Sequence, residues 1–295
     1  MPFLSNYIEL LKPLTSDIVS LVENAPILFV VMAFFIVWVF CWFPLAILSA
    51  IIIKWRPNQP LKEEQKLPLM LPLYLISPLI LWIFTKLTTR LTTIPFSGYG
   101  LVKDWSLIGS LALGFAIGII SIFLIFTCQT WLGLCSWNKS KIRELPSTAI
   151  FILLVAILVG GVEELIFRGF VYTQLQNVYG VWIGAVTSSL IFACLHLVWE
   201  QKETLPQLPG LWIMGMVLVF AKYIDGGSLG IPWGLHAGWV WVIACIDTVG
   251  LISYTDKVPE WLTGKYQKPL AGVSGIVCLI GTGFFLYLSN LSFLK

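Results

Sequence analysis

Long apolar runs broken by short polar segments make up most of this chain. Eight runs fall at about 27–53, 68–86, 106–132, 148–172, 179–199, 208–224, 228–251 and 270–291. About 20 such residues, coiled as a helix, cross the hydrocarbon core of a bilayer. In lipid a helix satisfies its own backbone hydrogen bonds, so the pattern predicts helices throughout. The breaks carry ordinary punctuation. Trp55-Arg56-Pro57-Asn58 ends the first run, and Pro57 and Pro60 prevent its continuation. Lys139 to Pro146 precedes the fourth, Gly226-Gly227 separates the sixth from the seventh, and Asp256 to Pro269 is the other long polar stretch. Pro44, Pro72 and Pro78 lie inside runs, where membrane helices tolerate kinks.

Met1 to Asn24 differ, with Glu9, Lys12, Asp17 and Glu23 interleaved among apolar residues. That pattern predicts a helix lying at the membrane interface. The first long run begins near residue 27 and exceeds the apolar core of a cleavable signal. No fixed-period repeat or low-complexity segment is evident. The expected fold is all-α: a polytopic transmembrane helical bundle of about eight spans behind an N-terminal interfacial helix. Residues 1–26 form the interfacial segment, and 27–295 a single transmembrane domain.

Composition agrees. The chain is 58% hydrophobic and 11% charged, against about 25% charged in soluble domains. The net charge of +3 comes from Lys and Arg placed mainly between the runs. Such residues anchor a membrane protein at its loops. No basic stripe or nucleic-acid module is present, so membrane lipids are the expected partners and nucleic acid is not. Lys and Arg favour the loops after the first, third, fifth and seventh runs, which leans those loops toward the cytoplasm. The six cysteines have neither CxxC nor metal-finger spacing and are expected as small apolar residues.

Ionisable groups inside a membrane are costly and are functional candidates by default. The candidates are Glu163, Glu164, Arg168, His196, His236 and Asp247, and both histidines of the chain fall in runs. Adjacent Glu163 and Glu164 point about 100° apart on a helix and can do different jobs. Glu164 and Arg168, four apart, share a face and are expected to pair, leaving Glu163 directed toward a cavity. Gly160, Gly161 and Gly169 remove bulk so that a neighbouring helix or a substrate backbone can approach. His196 follows Phe192 by four residues, and His236 sits among Gly234, Ala237 and Gly238, which are expected to leave room around its ring. One Glu and two His from three helices suit either activation of a water or ligation of a metal.

Three motifs resemble one family. Glu163-Glu164-x-x-x-Arg168, Phe192-x-x-x-His196 and the later His236 are similar to the EExxxR, FxxxH and HxxxN/D motifs of the CPBP group. That group holds type II CAAX prenyl endopeptidases and the bacteriocin-processing or immunity proteins also called Abi proteins. The resemblance covers about residues 145–250. It implies an intramembrane endopeptidase acting on a hydrophobic or lipidated peptide at a cavity open to one face. Glu163 and His196 would activate the attacking water, and His236 would stabilise the oxyanion. Glu164, Arg168 and Phe192 would support them. The family has two mechanistic accounts. The metal-free one, with no cofactor, is the expectation here, and Zn²⁺ held by Glu163, His196 and His236 is the alternative.

One position departs from the pattern. The third motif has Asn or Asp four residues after its His, and Val240 stands there instead. Valine donates no hydrogen bond, so one contact to an oxyanion or water is missing. Trp239 and Trp241 point elsewhere around the helix, and Asp247 lies about three turns on, as a helix-end residue. A non-catalytic immunity or scaffold protein on the same fold is therefore the second reading. A transporter is the third, disfavoured by the lack of paired halves.

Overall fold

The structure, a computed structural model, describes residues 25–56, 58–92, 94–102, 104–198, 201–255 and 259–293. The interfacial helix expected over 1–26 lies outside these residues, except for its last two, which open the first helix. The chain divides into two compact units, Met1–Pro95 and Phe96–Lys295.

In the first unit, α1 (Ala25–Ile52) packs against α2 (Glu63–Leu87). Trp38 and Trp42 lie one turn apart on α1 and donate indole N–H bonds to Ser77 Oγ (2.7 Å) and to the Leu69 carbonyl (3.1 Å). An indole that binds across a helix pair brings its ring area with it. The short second run thus becomes a 25-residue helix despite Pro68, Pro72 and Pro78.

The second unit holds α3 (Trp105–Trp131), α4 (Leu145–Glu164) and a π-helical segment (Leu165–Val171) that leads into α5 (Tyr172–Tyr179). It continues with α6 (Val181–Leu195), α7 (Leu208–Ile224), α8 (Gly230–Val249) and α9 (Val273–Phe293). Each of the eight apolar runs is helical. Seven helical stretches among the described residues are long and apolar enough to cross a membrane, and the fold is an all-α polytopic bundle. The 20-residue α8 is outside those seven. Its sequence carries Pro232, His236 and Asp247, and α3 and α4 enclose it. A helix shielded by other helices needs less apolarity than one facing lipid.

Glycines set that enclosure. Gly114 and Gly118 of α3 lie against the backbone of Ile231 and Leu235, while Gly234 and Gly238 of α8 lie against that of Leu111 and Phe115. Numbers rise together across the contact, so α3 and α8 run parallel. A Cβ on Gly234 would collide with the Leu111 carbonyl oxygen. Small residues four apart allow such close approach. The glycines beside His236 therefore serve the α3 contact rather than space around its ring, correcting the sequence expectation.

On its other side α8 meets α4 antiparallel. Trp233 donates to the Ile157 carbonyl at 2.8 Å and Trp241 to that of Ala149 at 2.9 Å. Gly160 lies against Ala237, and Gly161 against the Trp233 ring, so both glycines admit a helix. Two three-residue strands, β1 (Cys135–Trp137) and β2 (Ile252–Tyr254), pair antiparallel with Ser136 opposite Ser253. They join the chain segments that leave α3 and α8. Strands this short carry no legible alternation in sequence. The six cysteines are all free.

Candidate active site

The two glutamates end α4, where the helix widens into the π segment. π turns recur at functional sites because the extra residue re-aims the side chains around it. Antiparallel packing of α4 on α8 brings these carboxyls to His236. Arg168 Nη1 donates to Glu164 Oε1 at 2.8 Å, the pair predicted by their spacing. His236 Nδ1–H donates to the same oxygen at 2.7 Å. On the far side of the ring, Nε2 stands 3.6 Å from Glu163 Oε2. His236 is thus placed between two carboxylates, its orientation fixed by the Glu164 bond.

Burial is nearly complete. Glu164 is 0%, Arg168 1%, His236 2% and Glu163 7% exposed. Charges so enclosed require partners, and here they supply one another.

Phe192 joins the second histidine to this group. Its ring lies 4.4 Å beneath the Arg168 guanidinium and meets both imidazoles edge-on, with centroids 4.6 Å from His196 and 5.9 Å from His236. Phe167 of the π segment packs on it as well, at 5.1 Å. His196 opens a 3-10 turn just past α6, and its Nδ1–H donates to the Phe192 carbonyl at 2.8 Å. A carbonyl only accepts, so this bond fixes the tautomer and leaves Nε2 of a neutral ring as an acceptor. His196 is partly exposed while His236 is enclosed. The four-residue spacing of Phe192 and His196 therefore has a local cause: one helical turn supplies both the carbonyl and the ring.

Val240 lies one turn beyond His236 on α8. Together with Met214, Ile243 and Leu279 it lines a cavity of about 320 Å³. Neither neighbouring tryptophan takes the missing role, since Trp239 donates to Ser121 Oγ and Trp241 to Ala149. Asp247 meets Lys268 at 3.2 Å near the helix end. Among the described residues no three His, Cys, Asp or Glu side chains are grouped so as to hold a metal ion. Glu163, His196 and His236 do not form such a group.

One buried charge was absent from the expected set. Lys222 of α7 is 5% exposed and donates to the Arg168 carbonyl at 2.8 Å and to Thr173 Oγ1 at 2.7 Å. Its place near the end of an apolar run gives the sequence of an ordinary snorkelling lysine.

A polytopic membrane protein with a buried carboxylate pair around a histidine defines a class, and sequence comparison makes it particular. Residues 145–242 match the family described as type II CAAX prenyl endopeptidase Rce1-like. The matched segment holds the three motifs that resemble those of the CPBP group. A curated Escherichia coli protein, described as an uncharacterized 24.3 kDa protein, is 30% identical over 96 residues, which are 32% of this chain and 42% of that relative. The chain thus spans under half the length of the curated relative it matches. No solved structure matches the chain.

Proposed function

We propose that the chain is an intramembrane endopeptidase that hydrolyses a peptide bond of a hydrophobic or lipidated, membrane-associated peptide. The observation that carries this reading is the placement of His236 between Glu163 and Glu164 within a domain of a protease family. In the reaction, Glu163 and the free Nε2 of His196 draw a proton from water as its oxygen attacks the scissile carbonyl carbon. The carbonyl π electrons move onto oxygen, and His236 Nε2–H donates to that oxyanion. Because Nδ1–H is already given to Glu164, this donation requires a ring carrying both protons. Collapse of the intermediate breaks the C–N bond, and the proton taken from water passes to the leaving nitrogen. Glu164, Arg168 and Phe192 keep the two rings in place.

The test uses purified protein reconstituted in lipid with hydrophobic and lipidated peptides. Glu163→Gln is expected to lower kcat by about 10²–10⁴ without loss of insertion, the range of a general base. Wild-type turnover by that variant would sink the proposal. A non-catalytic immunity or scaffold role is favoured by Val240, which supplies no donor at the motif position. Under that reading Glu163→Gln would fully complement a deletion.

A further inference from the structure

Lys222 lies outside every motif, yet its ammonium is spent inside the bundle. A lysine one turn from a helix end ordinarily reaches for water or headgroups. This one folds inward, beside the Tyr172 ring at 5.6 Å, and binds two oxygens of the π-helical region. The Arg168 carbonyl it binds also accepts from Thr173 Oγ1 at 3.2 Å. A π turn departs from the regular α-helical bond ladder, and donors from outside the helix steady such a turn.

From Lys222 a chain of contacts leads to the reacting side chains. Lys222 holds the backbone at Arg168, Arg168 holds Glu164 Oε1, and that oxygen holds His236 Nδ1–H. Charge balance follows the same path. The buried group holds two acidic side chains, Glu163 and Glu164, and two basic ones besides its histidine, Arg168 and Lys222. A dry site tolerates charges best when they cancel.

We propose that Lys222 is a positioning residue that locks the π turn and, through Arg168 and Glu164, sets the orientation of His236. The inference rests on the peptidase reading for its kinetic consequence alone, since its structural consequence can be read without turnover. The experiment compares full-length wild type, Lys222→Met and Lys222→Arg in lipid nanodiscs. Cleavage kinetics are measured alongside the imidazole Nδ1–H resonance of His236 in isotope-labelled histidine, with His196→Ala assigning the two rings. Lys222→Met is expected to lower kcat about ten- to hundredfold, the usual cost of losing a supporting contact, with KM within about twofold. It is also expected to shift or broaden the His236 resonance, while Lys222→Arg keeps both nearer wild type. Wild-type kcat and resonance in Lys222→Met would overturn the assignment. So would equal damage in Lys222→Arg, or a change confined to KM. If no peptide is cleaved by any form, the peptidase reading fails while the resonance still decides the role of Lys222.

Discussion

At the scale of single residues, the arrangement turns on one oxygen. Glu164 Oε1 accepts from both Arg168 and His236, so the carboxylate serves as a shared anchor. Removing Arg168 would leave that carboxylate enclosed and short of a cation. Arg168→Leu is therefore expected to destabilise the fold by about 3–5 kcal/mol, the cost of breaking a buried pair. Denaturation in detergent would measure it, and a loss near zero would show that the pair contributes little. Val240 yields a prediction of opposite sign. If the endopeptidase reading holds, an amide one turn from His236 on α8 restores the donor that the motif supplies to the oxyanion. Val240→Asn should then raise kcat at least about tenfold, since one such donor can contribute 10²–10³. Unchanged kcat would mean the missing donor is no handicap. The Glu164–Arg168 pair was legible from spacing alone, because i,i+4 geometry is local. The bond from Glu164 to His236 was not, because it depends on how α4 and α8 cross.

At the scale of elements, two features direct the site: the π segment after α4 and the glycine contact between α3 and α8. Neither has a plain signature in the sequence. The π turn sits in an apolar run whose periodicity looks like any buried helix, and Gly234 and Gly238 suit several purposes until their neighbour is known. The contact predicts a sharp contrast between two glycines. Gly234→Ala places a methyl group into the Leu111 carbonyl, so a loss of about 1–3 kcal/mol is expected from overpacking. Gly281→Ala on α9 meets nothing within 4 Å and is expected to be neutral or slightly stabilising. Equal effects of the two substitutions on thermal unfolding would contradict the α3–α8 packing.

For the whole molecule, the alternation of apolar runs and polar breaks carried the fold class, because a bilayer imposes length and apolarity on each lipid-facing helix. All eight runs are helical, with the second extending well beyond its expected length. The exception in character is α8, which bears His236 and is enclosed by α3 and α4. Its apolarity is relaxed where His236 is placed, a trade that only packing reveals. Rare ionisable residues marked the site for the same physical reason, since a charge in lipid needs a use or a partner. Lys222 escaped notice because a lysine at the end of a run has an innocent explanation.

The proposed reaction is hydrolysis of a peptide bond by water activated at Glu163. Its most direct measurement is product analysis after cleavage in heavy-oxygen water, with wild type and Glu163→Gln compared in the same lipid. One heavy oxygen is expected in the new C-terminal carboxylate of the wild-type product, and almost no product from Glu163→Gln. Equal yields of labelled product from the two proteins would contradict it.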